Sequence, residues 1–421
     1  MYTQVPLSSI PLGVKFSTAA FDDQRSRLIS AGMCVTSLLV ESLQKRSIDQ
    51  VIVCNSDLIR FQAFKPQGTE ATTLPDHESQ VATAQNEVTH DLDQIIQKSL
   101  DTELNPIGKP LRDKIRHPGV VALDPQLTSA LVEKNEAQIE SLGTMSHACV
   151  TNADPNFSLL TEIADSVIGN VTEDIDAVVG LSANPTSFSY PTRHSQHVTM
   201  LAMSVGVTMG LDEASLQALG IGCLVHDIGM LALDRHIYES KAVLTEAEFV
   251  EIQKHPVITF ELIGENIESV PLFSRMVAYQ IHERCNGSGY PRKREISQIH
   301  PLSRLAAVVD AYVALVAPRP HRPGMLPHQA MAKIIRDVNT GKFDSKSVRA
   351  LLETVALFPL GSYVGLNNGY VGRVIRANGT DYARPIVEAW KEDNLTANPS
   401  IVDLSNEPNV AIEKALPKLG M

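Results

Sequence analysis

The feature that most constrains this chain is a long apolar repeat at three-four spacing that begins at Asn156. Leu159, Leu160, Ile163, Val167, Ile168, Val171, Ile175 and Val178 all fall on it. That spacing predicts one helix of more than five turns with a single buried face. Residues 191–209, 212–231, 245–263, 272–282, 301–316 and 325–340 repeat the pattern. The prediction is a mainly α fold whose central domain holds roughly six to eight helices.

Ionisable residues interrupt these apolar faces. His194 shares a face with Val198, Leu201 and Val205, so its ring points toward the core, and His197, one turn along, falls nearer the edge. His226 and Asp227 lie inside ALGIGCLVHDIGML, His255 precedes a proline in QKHPVITFEL, and His282 ends the apolar stretch AYQIHERCNGSGYP. Asp310 sits within LSRLAAVVDAYVAL, with no cation nearby in sequence. A single buried histidine is explained by a backbone hydrogen bond, and a single buried aspartate by a cap or an ion pair. Four histidines and two aspartates together are not, because unpaired buried charges are strongly disfavoured. Bound metal supplies the missing partner. Imidazole with carboxylate suits iron, manganese, zinc or nickel rather than calcium. Six ligands exceed the needs of one tetrahedral ion, whereas two ions bridged by Asp227 use them all and leave positions for water.

The series H…HD…HP…HE-NGSGYP…D resembles the HD-GYP family, HD-domain metal phosphohydrolases associated with the bacterial second messenger cyclic di-GMP. The resemblance spans residues 156–344 and rests on HDIG, the HP step, GSGYP and the R-x-A-x-V-x-D-A-Y segment, in order. It implies an HD-type helical bundle with His194, His226, Asp227, His255, His282 and Asp310 as metal ligands, and with His226 and Asp227 at the catalytic centre. It also implies Tyr290, Gly287 and Gly289 beside the substrate, and Arg319 and Arg322 on its phosphates. The cofactors implied are two divalent ions, iron or manganese. The activity implied is hydrolysis of cyclic di-GMP to pGpG and GMP, with diguanylate cyclases or other signalling proteins as partners.

Four positions depart from the family pattern. Ile281 stands where the family has the first His of HHE, Met230 replaces a lysine after HDIG, Asn286 replaces the Asp of DGSGYP, and Val313 replaces the second Asp of D-x-Y-D. Tyr190 stands where some members carry a glutamate for a third metal, which implies two ions at most. These changes keep a second reading open, in which the domain binds cyclic di-GMP or a partner protein without turnover. A third reading is a phosphohydrolase acting on another nucleotide.

Outside this region the chain divides by composition. Residues 1–64 read as a small α/β module, with strands in LIS and VIVC around a helix carrying Leu38, Leu39, Leu43 and Ile48. Residues 65–150 read as a polar linker with one marginal helix at 88–100 and another polar helix between 106 and 143. Residues 151–344 form the metal-binding domain. Residues 345–421 carry a C-terminal helix and a β extension, because SYVGLNNGYVGRVIRANG alternates apolar and polar residues around two Asn-Gly turns. The net charge of −12 argues against non-specific DNA or RNA binding. Five dispersed cysteines without a CxxC pair suggest reduced thiols. No run of about 18 apolar residues or secretion signal is read, so the expectation is a cytoplasmic protein away from membranes, with a homodimer compatible with the N-terminal region.

Overall fold

Alternation along Gln50–Cys54 buries Val51 and Val53 and leaves Gln50 exposed, the signature of a strand with one inward face. In the computed structural model this segment is β4 of a four-stranded antiparallel sheet, with β1 Tyr2–Pro6, β2 Ala20–Phe21 and β3 Arg27–Ile29, in the order β1-β4-β2-β3. The structure describes residues 108–416 apart from 117–118, 152, 184–189, 241, 243, 265–267, 320–321 and 397. Within the first 61 residues it describes 2–11, 14, 16, 20–21, 27–29, 35, 40, 43–44, 48–54, 57–58 and 61. The anticipated helix at 88–100, most of the polar stretch before it, and Leu38 and Leu39 lie outside the described residues. Leu7, Phe16, Ile29, Val51 and Val53 form the core of the sheet unit, and Phe16 meets Phe61 edge to face.

The chain divides into two units. One takes in Met1–Val88, Leu231–Ser240 and Leu244–Ile252, and the other comprises Thr89–Met230, Lys241–Val243 and Gln253–Met421. In the second unit the helices are α1 Pro125–Thr151, α2 Ser158–Glu173, α3 Ile175–Ser182, α4 Thr192–Thr208 and α5 Glu213–Val225. The first unit contributes α6 Arg235–Tyr238 and α7 Glu246–Ile252. The second unit resumes with α8 His255–Ile263, α9 Leu272–Gln280, α10 Pro301–Val316, α11 Pro327–Asn339 and α12 Ser345–Val355. α4 lies at the centre of the bundle, packed on α1, α3, α5, α10 and α12. Its residues 194–207 are all buried.

Two of the anticipated helices are broken. The 159–178 repeat divides into α2 and α3 at Asp174, whose backbone is extended and whose carboxylate accepts from the Asp176 and Ala177 N–H groups as an N-cap. The 245–263 stretch divides into α7 and α8, because Lys254 and Pro256 begin a new helix. A five-stranded antiparallel sheet follows α12. Its strands are β5 Tyr363–Leu366, β6 Tyr370–Arg376, β7 Ile386–Lys391, β8 Ser400–Asp403 and β9 Ile412–Leu416, in the order β8-β7-β6-β5-β9. Val364, Leu366, Val374 and Val387 join the helical core. Arg376 ties the sheet to the α2–α3 corner through Asp174 at 2.9 Å and Asp176 at 3.0 Å.

Glu213–Ala232 is long and apolar enough to cross a membrane by length and composition, which revises the reading that no such run exists. The bundle accounts for it, since 72% of that window is buried inside the fold. Cys149 and Cys223 are buried, and Cys54 and Cys285 are partly exposed; none of these four is in a disulfide.

Candidate metal centre

Helix ends and one helix interior bring six ionisable side chains together. His194 lies in the first turn of α4, His226 closes α5 with Asp227 after it, and His255 opens α8. His282 follows α9, and Asp310 lies in mid-α10. All six are at most 8% exposed.

Asp227 occupies the middle. Its Oδ2 lies 3.2 Å from His226 Nε2, while its Oδ1 lies 3.1 Å from His255 Nε2 and 3.4 Å from His282 Nε2. Asp310 Oδ1 meets His194 Nε2 at 2.9 Å and lies 3.9 Å from His226 Nε2, and its Oδ2 is 3.4 Å from His282 Nδ1. Two overlapping groups could hold metal: His194 with His226 and Asp310, and His226 with Asp227 and His282.

The donors fit a cation. His226 Nδ1 donates to the Cys223 carbonyl at 2.7 Å; since a carbonyl only accepts, the proton is on Nδ1 and the Nε2 lone pair faces the cluster. His226 Nε2, His282 Nε2 and both Asp227 oxygens are buried, yet none takes part in a well-directed hydrogen bond. Converging buried donors left this way are what an ion satisfies. Without one, burial pushes the Asp227 and Asp310 carboxyls up, but the adjacent imidazoles outweigh it and hold both well below the ordinary carboxylate range. Burial works against a proton on His282, yet the charges of Asp310 and Asp227 prevail and raise it to about 9. Metal loading therefore displaces protons.

Aromatic rings line up through the site. Successive centroids from Tyr190 through His194, His226 and His282 to Tyr290 are 5.7, 5.6, 5.5 and 5.0 Å apart, with Tyr290 stacked on His282. Gly287 and Gly289 shape the loop that carries Tyr290. Gly287 has φ +75°, and a Cβ on Gly289 would collide with the Glu283 and Arg284 backbone. The loop closes as the Tyr290 N–H donates to the His282 carbonyl at 3.2 Å.

The two arginines part company. Arg319 lies over the Tyr190 ring at 4.7 Å, and its charge opposes protonation of His194. Arg322 turns away to the end of α10, donating to the Ala314 carbonyl at 2.7 Å and the Leu315 carbonyl at 3.2 Å. There it serves as a helix C-cap. His197 is also relocated: it is buried at 4% exposure rather than at an edge.

Three further residues brace the site and were not singled out by the sequence. Thr259 Oγ1 accepts from the Gly229 N–H and donates to the His226 carbonyl, locking α8 to the HDIG turn. Glu283, fully buried, accepts from the Arg292 and Arg294 N–H groups and fixes the segment after GSGYP. Gln280 does the same for the start of α10 through Gln298 and His300. Glu283 follows a predicted ligand directly, which is a usable signal; a threonine inside a helix gives none. The four departures have structural homes, with Met230, Ile281 and Val313 in the apolar interior. Asn286 caps its own turn through Ser288 and donates to the Thr340 carbonyl.

Residues 184–347 match the HD domain family. A cyclic di-GMP phosphodiesterase of Pseudomonas aeruginosa is 28% identical over 230 residues, 55% of each chain. A 3'3'-cGAMP-specific phosphodiesterase of Vibrio cholerae is 31% identical over 180 residues, 41% of this chain and 40% of that one. A solved structure described as an HDG"Y"P protein from Bdellovibrio bacteriovorus aligns with a TM-score of 0.39 and 14% identity, covering 83% of this chain and 98% of that one. The chain spans about half the length of the curated relatives it matches.

Proposed function

We propose that the HD-GYP domain is a metal-dependent phosphodiesterase that hydrolyses cyclic di-GMP to pGpG and then GMP. The observation that supports this reading most is the position of Asp227, with one carboxylate oxygen toward His226 and the other toward His255 and His282. In this reading His194, His226 and Asp310 would hold one ion and His255 and His282 a second, with Asp227 available to both. Iron and manganese suit such a nitrogen and oxygen set. Bound divalent ions lower the pKa of water and draw charge from phosphoryl oxygens. Arg319 neutralises charge on the non-bridging oxygens through its planar guanidinium. Tyr290, stacked on His282, forms the wall against which the substrate rests. The names of the two curated relatives, one acting on cyclic di-GMP and one on 3'3'-cGAMP, support cyclic dinucleotides as the substrate class. The same reading carries a cytoplasmic chain working with diguanylate cyclases, as a homodimer.

Anaerobically purified chain is expected to carry about two equivalents of iron or manganese and to cleave cyclic di-GMP. Asp227→Ala is expected to lower turnover more than about 100-fold, since loss of a metal ligand exceeds loss of its outer supports. Metal-free protein after anaerobic purification, or loaded protein with no turnover, contradicts the reading. The burial of Met230 and Ile281 in the core, where no cation or ligand is offered, favours a second reading as a cyclic di-GMP receptor. Micromolar binding without product in fully loaded protein selects it.

A further inference from the structure

The loop that carries Tyr290 is braced by a turn far along the chain. Residues 284–286 run beside residues 340–343, the turn between α11 and α12, and each of the three makes a contact there. Arg284 places its guanidinium over the Phe343 ring at 5.1 Å, the Cys285 N–H donates to the Lys342 carbonyl at 2.9 Å, and Asn286 Nδ2 donates to the Thr340 carbonyl at 3.0 Å. The turn is itself tied down. Its Gly341 N–H donates to the Val338 carbonyl, the Lys342 N–H and the Thr340 hydroxyl donate to the Asp337 carbonyl, and Phe343 is part of the helical core.

Asn286 is one of the four departures, standing where the HD-GYP pattern carries aspartate. The two ends of its side chain have opposite tasks. The Thr340 carbonyl only accepts and the Ser288 N–H only donates, so Nδ2 faces Thr340 while Oδ1 takes the Ser288 N–H at 3.2 Å and its hydroxyl at 2.7 Å. An ionised aspartate makes the second contact but not the first: it has no proton to donate, and it would set a charged oxygen against a carbonyl oxygen. Four residues on, Tyr290 stacks on His282, and its N–H donates to the His282 carbonyl. Between the two, the Gly287 N–H donates to the Arg284 carbonyl at 2.8 Å and closes the turn. The amide of Asn286 thus holds the outer end of the loop whose inner end holds the Tyr290 ring.

We propose that Asn286 is a positioning residue, whose amide clamps the GSGYP loop to the α11–α12 turn and so sets the Tyr290 ring against which the substrate rests. This inference rests on the cyclic di-GMP reading and deepens it. The asparagine is then matched to the turn it meets. If it acts through Tyr290, its contribution disappears once that ring is gone.

The test uses the full metal-loaded chain, with cyclic di-GMP binding measured by calorimetry beside KM, kcat, metal content and amide hydrogen exchange read by mass spectrometry. Asn286→Asp is expected to weaken binding and raise KM by about three- to tenfold, as for loss of one hydrogen bond, with kcat within about twofold of the parent and metal content unchanged. Exchange over residues 283–292 is expected to rise about threefold or more, while α4 keeps the protection it has in the parent. Ser288→Ala, which leaves the Thr340 clamp in place, is expected to bind within about twofold of the parent. In a Tyr290→Ala background the Asn286→Asp loss is expected to shrink below about twofold. Asn286→Asp that binds or exchanges like the parent overturns the proposal. So does an equal loss in Ser288→Ala, the same loss with and without Tyr290, or metal missing from Asn286→Asp. Parent protein that binds but does not hydrolyse removes the phosphodiesterase reading and leaves this inference decided on affinity and exchange; a parent that does not bind cyclic di-GMP overturns both.

Discussion

A single hydroxyl, Thr259 Oγ1, joins two buried backbone groups, the Gly229 N–H and the His226 carbonyl. Thr259→Val keeps the volume and removes both bonds, so it is expected to lower unfolding free energy by about 2–3 kcal/mol in urea melts. Thr259→Ser is expected to recover most of it. A loss confined to Thr259→Ser, with Thr259→Val like the parent, would mean the methyl group, not the hydroxyl, carries the effect. At this scale the sequence was informative where chemistry and environment clashed. His194, His226, Asp227, His255, His282 and Asp310 were visible as ionisable residues in apolar stretches, and the structure brings them within a few ångströms of one another. Arg322 was not legible, because its partners are carbonyl oxygens, which every residue has. Thr259 and Gln280 were missed for the same reason, and His197 because a three-four face does not say how deeply its margin is buried.

Between elements, the decisive contact is Arg376 of β6 with Asp174 and Asp176 at the α2–α3 corner. Arg376 and Asp174 are buried, and Arg376 also donates to the Val121 carbonyl at 2.7 Å. Arg376→Met is expected to destabilise the fold by about 3–5 kcal/mol, the cost of leaving buried carboxylates without their cation, read as a lower midpoint in chemical denaturation. A shift below about 1 kcal/mol would place this contact in the class of solvated surface pairs. Arg376 also explains why one predicted helix is two. The apolar repeat runs through 171, 175 and 178 without a break, and only a partner 202 residues away reveals that Asp174 is a cap. The helix over 301–316 and the β hairpin at 363–376 were legible to the residue or nearly so, since Pro301 and Asn368-Gly369 mark their limits locally.

Across the whole molecule, buried imidazoles set the response to acid. Burial, then the Arg193 charge, lowers His197 to about 4, and burial, then Arg304, lowers His300 to about 4. His194 and His328 are lowered as well, by burial first. Because the native state refuses protons that the unfolded chain accepts near pH 6.5, these groups hold stability constant above about 6.5 and lose it as pH falls toward 4. His197 and His300 are each worth at most about 3 kcal/mol over that window. His282 works the other way in metal-free protein: its raised affinity stabilises fully below about 6.5 and is lost as pH rises toward 9. Chelator-treated protein is therefore expected to be most stable near pH 6.5, and His197→Leu to flatten the acid limb of thermal melts; an unchanged acid slope would count against it. The central claim is that one carboxylate, Asp227, is shared by two ions. Anomalous diffraction at the iron and manganese edges, on crystals of anaerobically purified chain, tests it directly. The expected map has two peaks flanking Asp227, one beside His194, His226 and Asp310 and one beside His255 and His282; a single peak, or a pair not bracketing Asp227, contradicts it.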